Sequence, residues 1–336
     1  MSDSQGDAGV VIDAAQYANW NRDIFVEMRA GGATCVNVTI AYWESCRETL
    51  SNIGQWNRRF EQHGDLIMPV RTADDVRQAK ALGKTGISLA LQHCSPIEED
   101  IDLIRILHDL GVRFMQLSYN NQSVLATGCY EDEDPGITRF GRQAIREMNR
   151  VGMVVDMSHS AERSTLHAIE LSERPIAITH ANMKSWHPAL RNKSDDVLKA
   201  LAEAGGMLGV SMYPFHLRGG PDCSLDDFCG MIADAAELMG IDHVGIGSDL
   251  VQGHDDSIVE WMRNGRWSKQ TDFGEGSAED AGWPDPAAWF TCNRDFPNLA
   301  RGLKDKGFAD GDIDKVMGLN WLRFFETSFG PMPGAA

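Results

Sequence analysis

The chain has 336 residues, of which 49 are acidic and 31 are basic, so its formal net charge is −18. A nucleic-acid groove or a contact with an anionic membrane needs a basic surface, so the charge excludes both partners and favours a small-molecule ligand. No run of about 18 apolar residues and no secretory signal is visible, and the seven cysteines form no CxxC pair, so we expect a cytoplasmic protein with reduced thiols.

In chain order, short runs typical of buried strands alternate with amphipathic helices, which is the pattern of parallel strands joined by helical crossovers. The eight strand-like runs occupy residues 10–15, 33–40, 85–92, 112–119, 153–159, 175–180, 206–213 and 243–249. A ninth short run, at 66–70, is either an extra strand or part of the second unit. Eight such units predict an α/β fold, a (β/α)8 TIM barrel.

Two of the predicted crossover helices have clear start signals. Thr72 and Asp75 resemble the two partners of a capping box. Ser95 and Pro96 suit the N-cap and the first position of another helix. We expect that helix to continue as one apolar face to Leu107.

We treat the whole chain, residues 1–336, as one domain with the barrel at about 10–253 and a loop-rich, helical C-terminal extension at about 254–336. Within the extension, residues 254–297 show weak periodicity and contain four tryptophans: Trp261, Trp267, Trp283 and Trp289. A long loop after the last barrel strand either covers the site or packs on the barrel. Residues 312–327 predict a terminal amphipathic helix whose aromatic stripe packs in the core.

Two histidines, His159 and His180, end consecutive strand-like runs. Their side chains are expected at the same rim of the barrel, where the carboxyl ends of the strands meet and TIM barrels carry their chemistry. Neutral imidazole is a good zinc ligand, so we predict that the pair binds a metal. Asp249 ends the last run and is predicted to accept a proton from water and pass it to a leaving amine. A loop-capping role is the alternative for this aspartate.

Weaker candidates surround the same rim. Arg191, after the sixth strand, suits a bidentate carboxylate clamp, and Tyr213, at the end of the seventh, can donate its hydroxyl to the same carboxylate. The alternatives are a solvated arginine and a buried structural tyrosine. His254, in the loop after the last strand, is a substitute metal ligand, a proton shuttle or an ordinary loop histidine. Together with Gln92 and Tyr119, which end the third and fourth strands, it completes the predicted substrate-binding residues.

The chain lacks a GxSxG elbow, a P-loop and a dinucleotide fingerprint, but seven of its segments match one family in order. These segments are residues 111–120, 147–160, 191–198, 209–215, 240–250, 296–303 and 317–325. The chain therefore resembles the membrane (renal) dipeptidase family, metallopeptidase family M19, among the amidohydrolase-type barrels. The resemblance runs from about Asp13 to Phe325.

Members of this family hydrolyse dipeptides, often with a D-residue at the C-terminal position, and use two zinc ions bridged by a hydroxide. The resemblance implies that His159 and His180 bind the second metal and that Asp249 is the proton-handling acid. It also implies that Arg191 and Tyr213 hold the substrate carboxylate. A homodimer is expected on the same ground.

The sequence departs from the family around the first metal. Residues 13–17 read Asp-Ala-Ala-Gln-Tyr where the family has Asp-Gly-His-Asn-Asp, and residues 92–95 read Gln-His-Cys-Ser where the family has Glu-Gly-Gly-His. Both first-metal ligands and the bridging glutamate are thus replaced, and two residues, Ala189 and Leu190, are inserted before Arg191. No carboxylate remains at these positions to offset the repulsion between two divalent ions.

We therefore expect at most one divalent metal, preferably zinc, bound by His159 and His180 with a third ligand from Asp249, His254 or Cys94. The first functional hypothesis is a dipeptidase-like hydrolase that cleaves an amide or other C–N bond in a small substrate carrying a carboxylate. The second is a metal-free protein of the dipeptidase fold that binds a small metabolite or performs non-hydrolytic chemistry.

Overall fold

The computed structural model describes residues 7–266, 269, 271, 273–279 and 281–330. Within these residues the chain forms ten β-strands and twelve α-helices. The strands are β1 Ile12–Ala18, β2 Cys35–Ala41, β3 Ile67–Pro69, β4 Thr85–Leu91, β5 Val112–Gln116, β6 Val154–Asp156, β7 Ala177–Ala181, β8 Met207–Val210, β9 Val244–Ile246 and β10 Leu250–Gln252. The helices are α1 Arg22–Ala30, α2 Cys46–Gln62, α3 Ala73–Ala81, α4 Asp102–Asp109, α5 Arg139–Val151, α6 Glu162–Leu171, α7 Asp195–Glu203, α8 Leu225–Met239, α9 Asp256–Asn264, α10 Phe296–Asp305, α11 Asp310–Asp314 and α12 Asn320–Ser328.

The sheet is a closed parallel barrel. Its hydrogen-bonded order is β10-β1-β2-β4-β5-β6-β7-β8-β9, and the pairing of β1 with β9 closes it. β9 and β10 are two parts of one barrel strand, interrupted at residues 247–249, so the barrel has eight strand positions. The predicted (β/α)8 barrel is confirmed, and the run at 66–70 contains an extra strand, β3, that pairs with β4.

The predicted capping box at the start of α3 is confirmed. The Asp75 N–H donates to Thr72 Oγ1 at 3.2 Å, and the Thr72 N–H donates to the Asp75 carboxylate at 2.8 Å. Each side chain satisfies an N–H group that has no partner within the helix, which fixes where the helix begins.

The predicted helix start at Ser95 is wrong. Ser95–Ile97 form a single 3₁₀ turn, and α4 begins only at Asp102. The chain leaves the helical region at Glu98, which has a φ of +50°. The Glu98 carboxylate accepts a hydrogen bond from the Cys46 N–H at the start of α2, a contact between distant parts of the chain.

Helix α12 plugs the end of the barrel opposite to the strand carboxyl ends. Trp321 is fully buried there, and its indole N–H donates to the Ile246 carbonyl at 2.9 Å. Gly245 makes this approach possible, because a Cβ at that position would lie 2.5 Å from the Trp321 Nε1. The prediction that the aromatic stripe of the terminal helix packs in the core is confirmed, with Phe324 and Phe325 also buried.

Two general predictions also bear on the fold. In the part of the chain that the structure describes, no helix is long and apolar enough to cross a membrane. All seven cysteines are described and all are free thiols, as the absence of paired cysteine motifs predicts.

We expect Trp321→Ala to lower the free energy of unfolding by about 3–5 kcal/mol, because it opens a cavity at the barrel plug and removes the hydrogen bond to the Ile246 carbonyl. Arg323→Ala on the same helix is the control, since this exposed side chain should contribute less than about 1 kcal/mol. Urea unfolding of both variants measures the difference, and equal losses would contradict the assigned role of Trp321.

Candidate functional site

The loops that follow the barrel strands surround a cavity of about 80 Å³. Six residues predicted from the sequence line it: Gln92, Tyr119, His159, Arg191, Tyr213 and Asp249. His180 is fully buried and contacts His159. His254 lies to one side, stacked on Tyr17 with ring centroids 4.3 Å apart.

The two predicted metal-binding histidines point at each other. Nε2 of His159 lies 3.1 Å from Nε2 of His180. His159 lies in the turn just after β6, whereas His180 belongs to β7, and these two strands pair directly. Two adjacent barrel strands thus bring both imidazoles together.

Hydrogen bonds at the other ring nitrogens set the tautomers. His159 Nδ1 donates to Asn120 Oδ1 at 2.7 Å. His180 Nδ1 lies 2.8 Å from Thr179 Oγ1, whose own proton goes to Asp156 Oδ2 at 2.6 Å, so this imidazole is the donor as well. Both Nε2 atoms therefore present lone pairs toward each other, an arrangement that suits a shared metal ion.

Burial keeps both imidazoles neutral. It lowers the pKa of His159 and of His180 well below the usual value, and the nearby Arg191 guanidinium lowers both further. The neutral form is the one that binds a metal. The positive charges of Arg191 and Lys193 also oppose added cationic charge at this point, which limits how many ions the site tolerates.

Asp249 combines an unusual backbone with an unusual carboxyl group. Burial raises the pKa of this carboxyl to about 7, while Arg191 acts in the opposite direction. The residue has a φ of +56°, in the left-handed region that side-chain-bearing residues rarely adopt. Its N–H donates to the Ala15 carbonyl at 2.9 Å, which holds the corner between β9 and β10 against β1. Such strained positions are typical of functional sites.

Arg191 is buried behind the histidine pair. Its guanidinium donates to the backbone carbonyls of Ser158 and, at 3.2 Å, of His180. It forms no ion pair with any carboxylate of the described residues, so its charge remains available to a ligand. The inserted Ala189 and Leu190 lie just before it, and Arg191 still reaches the cavity wall.

Aromatic rings fill the part of the mouth beside β1. Tyr17 packs edge-on against Tyr42 at a centroid distance of 5.0 Å, and Tyr42 packs in the same way against Tyr119 at 5.2 Å. Tyr119 in turn stacks on His159 at 4.0 Å. Burial raises the pKa of Tyr17 to about 12, so this side chain is neutral where the resembling family has a carboxylate.

The other residues of the altered first-strand motif have structural roles. Asp13 accepts hydrogen bonds from the Ser248 N–H and from Gln16 Nε2, both at 2.7 Å. Gln16 Nε2 also donates to Asn293 Oδ1 at 2.8 Å. Ala15 offers no ligand atom in its side chain. The first-metal position of the resembling family therefore has no free donor on this strand.

Of the three candidates for a third ligand, Asp249 lines the cavity together with His159, whereas Cys94 and His254 do not. Burial raises the pKa of the Cys94 thiol to about 12, and neither Cys94 nor His254 lines the cavity. Gln92 lines it, but its amide nitrogen is occupied by a 2.8 Å hydrogen bond to Thr39 Oγ1. His93 accepts the Ser95 N–H at Nδ1 outside the cavity.

The facing imidazoles bring two ligand nitrogens to one point, and the first-strand residues add none. Within the described ranges, no group of three or more His, Cys, Asp or Glu side chains is placed to hold a metal. Two nitrogens 3.1 Å apart suit a single ion, because ligand atoms bonded at about 2.0–2.1 Å to a tetrahedral zinc lie about 3.3 Å apart. Water or substrate would have to supply the remaining ligands.

The lid segment, residues 254–297, contributes part of the cavity wall. Arg263 of α9, Phe273, Glu275 and Trp283 line the cavity. Among the other tryptophans singled out in the sequence, Trp261 contacts Tyr42, Trp289 packs on Phe228 in the core, and Trp267 lies outside the described residues.

Glu275 attaches the lid segment to two barrel loops. Its carboxylate accepts hydrogen bonds from the Leu190 N–H at 2.7 Å and from the Tyr130 hydroxyl. The inserted Leu190 therefore provides one of the attachment points. Sequence reasoning did not identify Glu275, Tyr130, Arg263 or Asn120. Of these, only Asn120 lies in one of the seven short segments on which the resemblance was drawn.

Comparison with known proteins gives one family. The sequence model of the family described as Membrane dipeptidase (Peptidase family M19) matches residues 13–264. Dipeptidase tcpJ of Claviceps purpurea is 25% identical over 282 residues, which cover 83% of this chain and 59% of that protein. Dipeptidase aclJ of Aspergillus oryzae is 28% identical over 287 residues, which cover 84% and 61%. The chain thus spans about three fifths of the length of these relatives.

Solved structures agree over nearly the whole chain. An amidohydrolase from Pseudomonas aeruginosa is 35% identical with a TM-score of 0.88, and the match covers 96% of this chain and 97% of that one. A metallopeptidase from Rhodobacter sphaeroides, liganded with a phosphinate mimic of the dipeptide L-Ala-D-Ala, is 18% identical with a TM-score of 0.80, over 96% and 99%. The latter shares the fold.

We expect Thr179→Val to weaken zinc binding by about 10–100-fold, because His180 Nδ1 loses the acceptor that orients its ring. Thr85→Val is the matched control, since the Thr85 hydroxyl bonds the Ala33 carbonyl at the other end of the barrel. Titration with zinc against a competing chelator measures both affinities. Equal affinities in the two variants would contradict the assigned tautomer.

Proposed function

Because this chain belongs to the membrane dipeptidase family, peptidase family M19, we propose that it is a dipeptidase-like hydrolase. Its substrate is a small molecule that carries a carboxylate, and the bond cleaved is an amide or related C–N bond. The relatives named as dipeptidases support this class of reaction.

A single observation carries the proposal: two neutral imidazoles direct their Nε2 lone pairs at each other, 3.1 Å apart, in a cavity that also contains Asp249. We infer that His159 and His180 hold one divalent metal, with zinc as the preferred ion. When bound, this ion supplies Lewis-acid chemistry, lowering the pKa of water and polarising a carbonyl.

The protein's own groups carry out the remaining tasks. Asp249 accepts a proton from the attacking water and delivers it to the leaving amine, for which a pKa near 7 is well suited. Arg191 and Tyr213 hold the substrate carboxylate, since both line the cavity and neither has a carboxylate partner among the described residues. Tyr119, stacked on His159, keeps this ring in place.

A metal-free protein that binds a metabolite or performs non-hydrolytic chemistry is the second candidate. It is favoured by the lack of a third ligand near the histidine pair within the described residues. Metal analysis of protein purified without chelator separates the two candidates, because stoichiometric zinc eliminates the second.

We also propose that the protein works in the cytoplasm as a homodimer, without a nucleic-acid or membrane partner. The net charge of −18 supports the last point, because it repels polyanions. Size-exclusion chromatography with light scattering tests the dimer.

We expect His180→Ala to abolish both metal binding and dipeptide hydrolysis, with a loss of activity of at least about a hundredfold. His243→Ala is the control, because the His243 ring bonds the Gly206 carbonyl away from the site. Elemental analysis and assays with dipeptides ending in L- or D-residues provide the two measurements. Full turnover in His180→Ala, or in enzyme treated with EDTA, would rule out the metal mechanism.

We expect kcat/KM to fall about tenfold per pH unit below pH 7, because burial raises the Asp249 pKa to about 7 and only the carboxylate accepts a proton. Above that pH the carboxylate predominates and the rate levels off. Asp249→Asn should remove this acid limb and lower kcat by about 10²–10⁴-fold. A pH–rate profile of the wild type that is flat between pH 5 and about 8 would exclude Asp249 as the base.

A further inference from the structure

A second arginine from outside the barrel shares the cavity with Arg191. Arg263, near the C-terminal end of α9, lines the same space. Neither guanidinium forms an ion pair with a carboxylate in the part of the chain that the structure describes. In a chain with a net charge of −18, two guanidinium groups in one cavity, each without a carboxylate partner among the described residues, suggest that the ligand supplies negative charge.

Arg263 is held in place by its own neighbours. Its Nη1 donates to the Ala281 carbonyl at 2.6 Å, and its Cζ lies 5.8 Å from the centre of the Phe273 ring. Both partners belong to the lid segment, so the guanidinium is oriented before any ligand arrives. Preorganised donors bind an anion with a smaller entropy loss than mobile surface arginines do.

The remaining donors of the cavity favour the same kind of ligand. The hydroxyls of Tyr42, Tyr119 and Tyr213 have no hydrogen-bond partner among the described residues, and burial raises the pKa of each phenol, so all three stay protonated. The Glu275 carboxylate is already engaged by the Leu190 N–H and the Tyr130 hydroxyl. Apart from the Asp249 carboxylate, which is assigned to proton transfer, the cavity therefore offers mainly donors.

Resting on the proposed function, we propose that the substrate carries two carboxylates, one bound by Arg191 with Tyr213 and the second bound by Arg263. Its chemical class is a dipeptide-like amide with an acidic side chain, or an N-acyl amino acid whose acyl group ends in a carboxylate. The planar guanidinium fork of Arg263 matches a carboxylate in charge and geometry.

The test is calorimetric binding of α,ω-dicarboxylates, succinate to adipate, against their monoamides. The series of lengths allows for the spacing between the two arginines. In the wild type we expect the best dicarboxylate to bind at least about tenfold more tightly than its monoamide. Arg263→Gln should reduce that ratio to within about twofold, whereas Arg263→Lys should retain most of it. Arg266→Gln is the matched control, because Arg266 pairs with Glu48 outside this cavity and its loss should leave the ratio unchanged.

A wild-type protein that does not distinguish the two ligand series, or an Arg263→Gln variant that still does, would overturn this inference. Binding requires no turnover, so the result is independent of hydrolysis. Protein that shows the expected ratio but cleaves no dipeptide would contradict the proposed function alone. Protein that cleaves glutamyl and glutaminyl dipeptides equally well would contradict the second carboxylate alone.

Discussion

Two buried carboxylates fix the turns that carry the site residues at the open end of this barrel. Asp156, at the end of β6, accepts four hydrogen bonds from Ser158 and Thr179, and so fixes the turn before His159 and the hydroxyl that orients His180. On the opposite side, Asp13 accepts four from the β1 segment and Ser248, which precedes Asp249. Neither carboxylate lines the cavity. Each sets the position of a reactive group one residue further along the chain, as second-layer carboxylates commonly do in metal enzymes.

The two sides of the mouth differ in what they can bind. Beside β6 and β7, neutral nitrogens face one another and attract a cation. Beside β1, the phenol rings of Tyr17, Tyr42 and Tyr119 form a column in edge-on contact. A low-polarity wall strengthens the remaining electrostatic interactions of the cavity. The site is therefore asymmetric, with two facing imidazole nitrogens on one side and a donor-rich aromatic wall on the other.

The barrel and the histidine pair could be predicted because buried parallel strands appear as continuous apolar runs, and the residue that ends each run lies at the rim. The break at Glu98 could not, since its cause is a contact with Cys46 on another helix. Arg263 and Glu275 could not be predicted either. They lie in or beside a segment without hydrophobic periodicity, and they contact the barrel only through tertiary interactions. Arg191 and Tyr213 were already candidates from their places after strands, and family resemblance implied their shared role but named no residue of the lid segment.

The left-handed backbone at Asp249 has an evolutionary consequence. Glycine adopts a φ of +56° freely, whereas a residue with a side chain is disfavoured there by roughly 1–2 kcal/mol. Mutational drift toward glycine would therefore relieve the backbone at this corner and, on the proposed function, remove the proton acceptor. If related sequences keep an acidic residue at this corner, selection has favoured catalysis over stability. If a lineage loses it, the barrel in that lineage has become a binding protein.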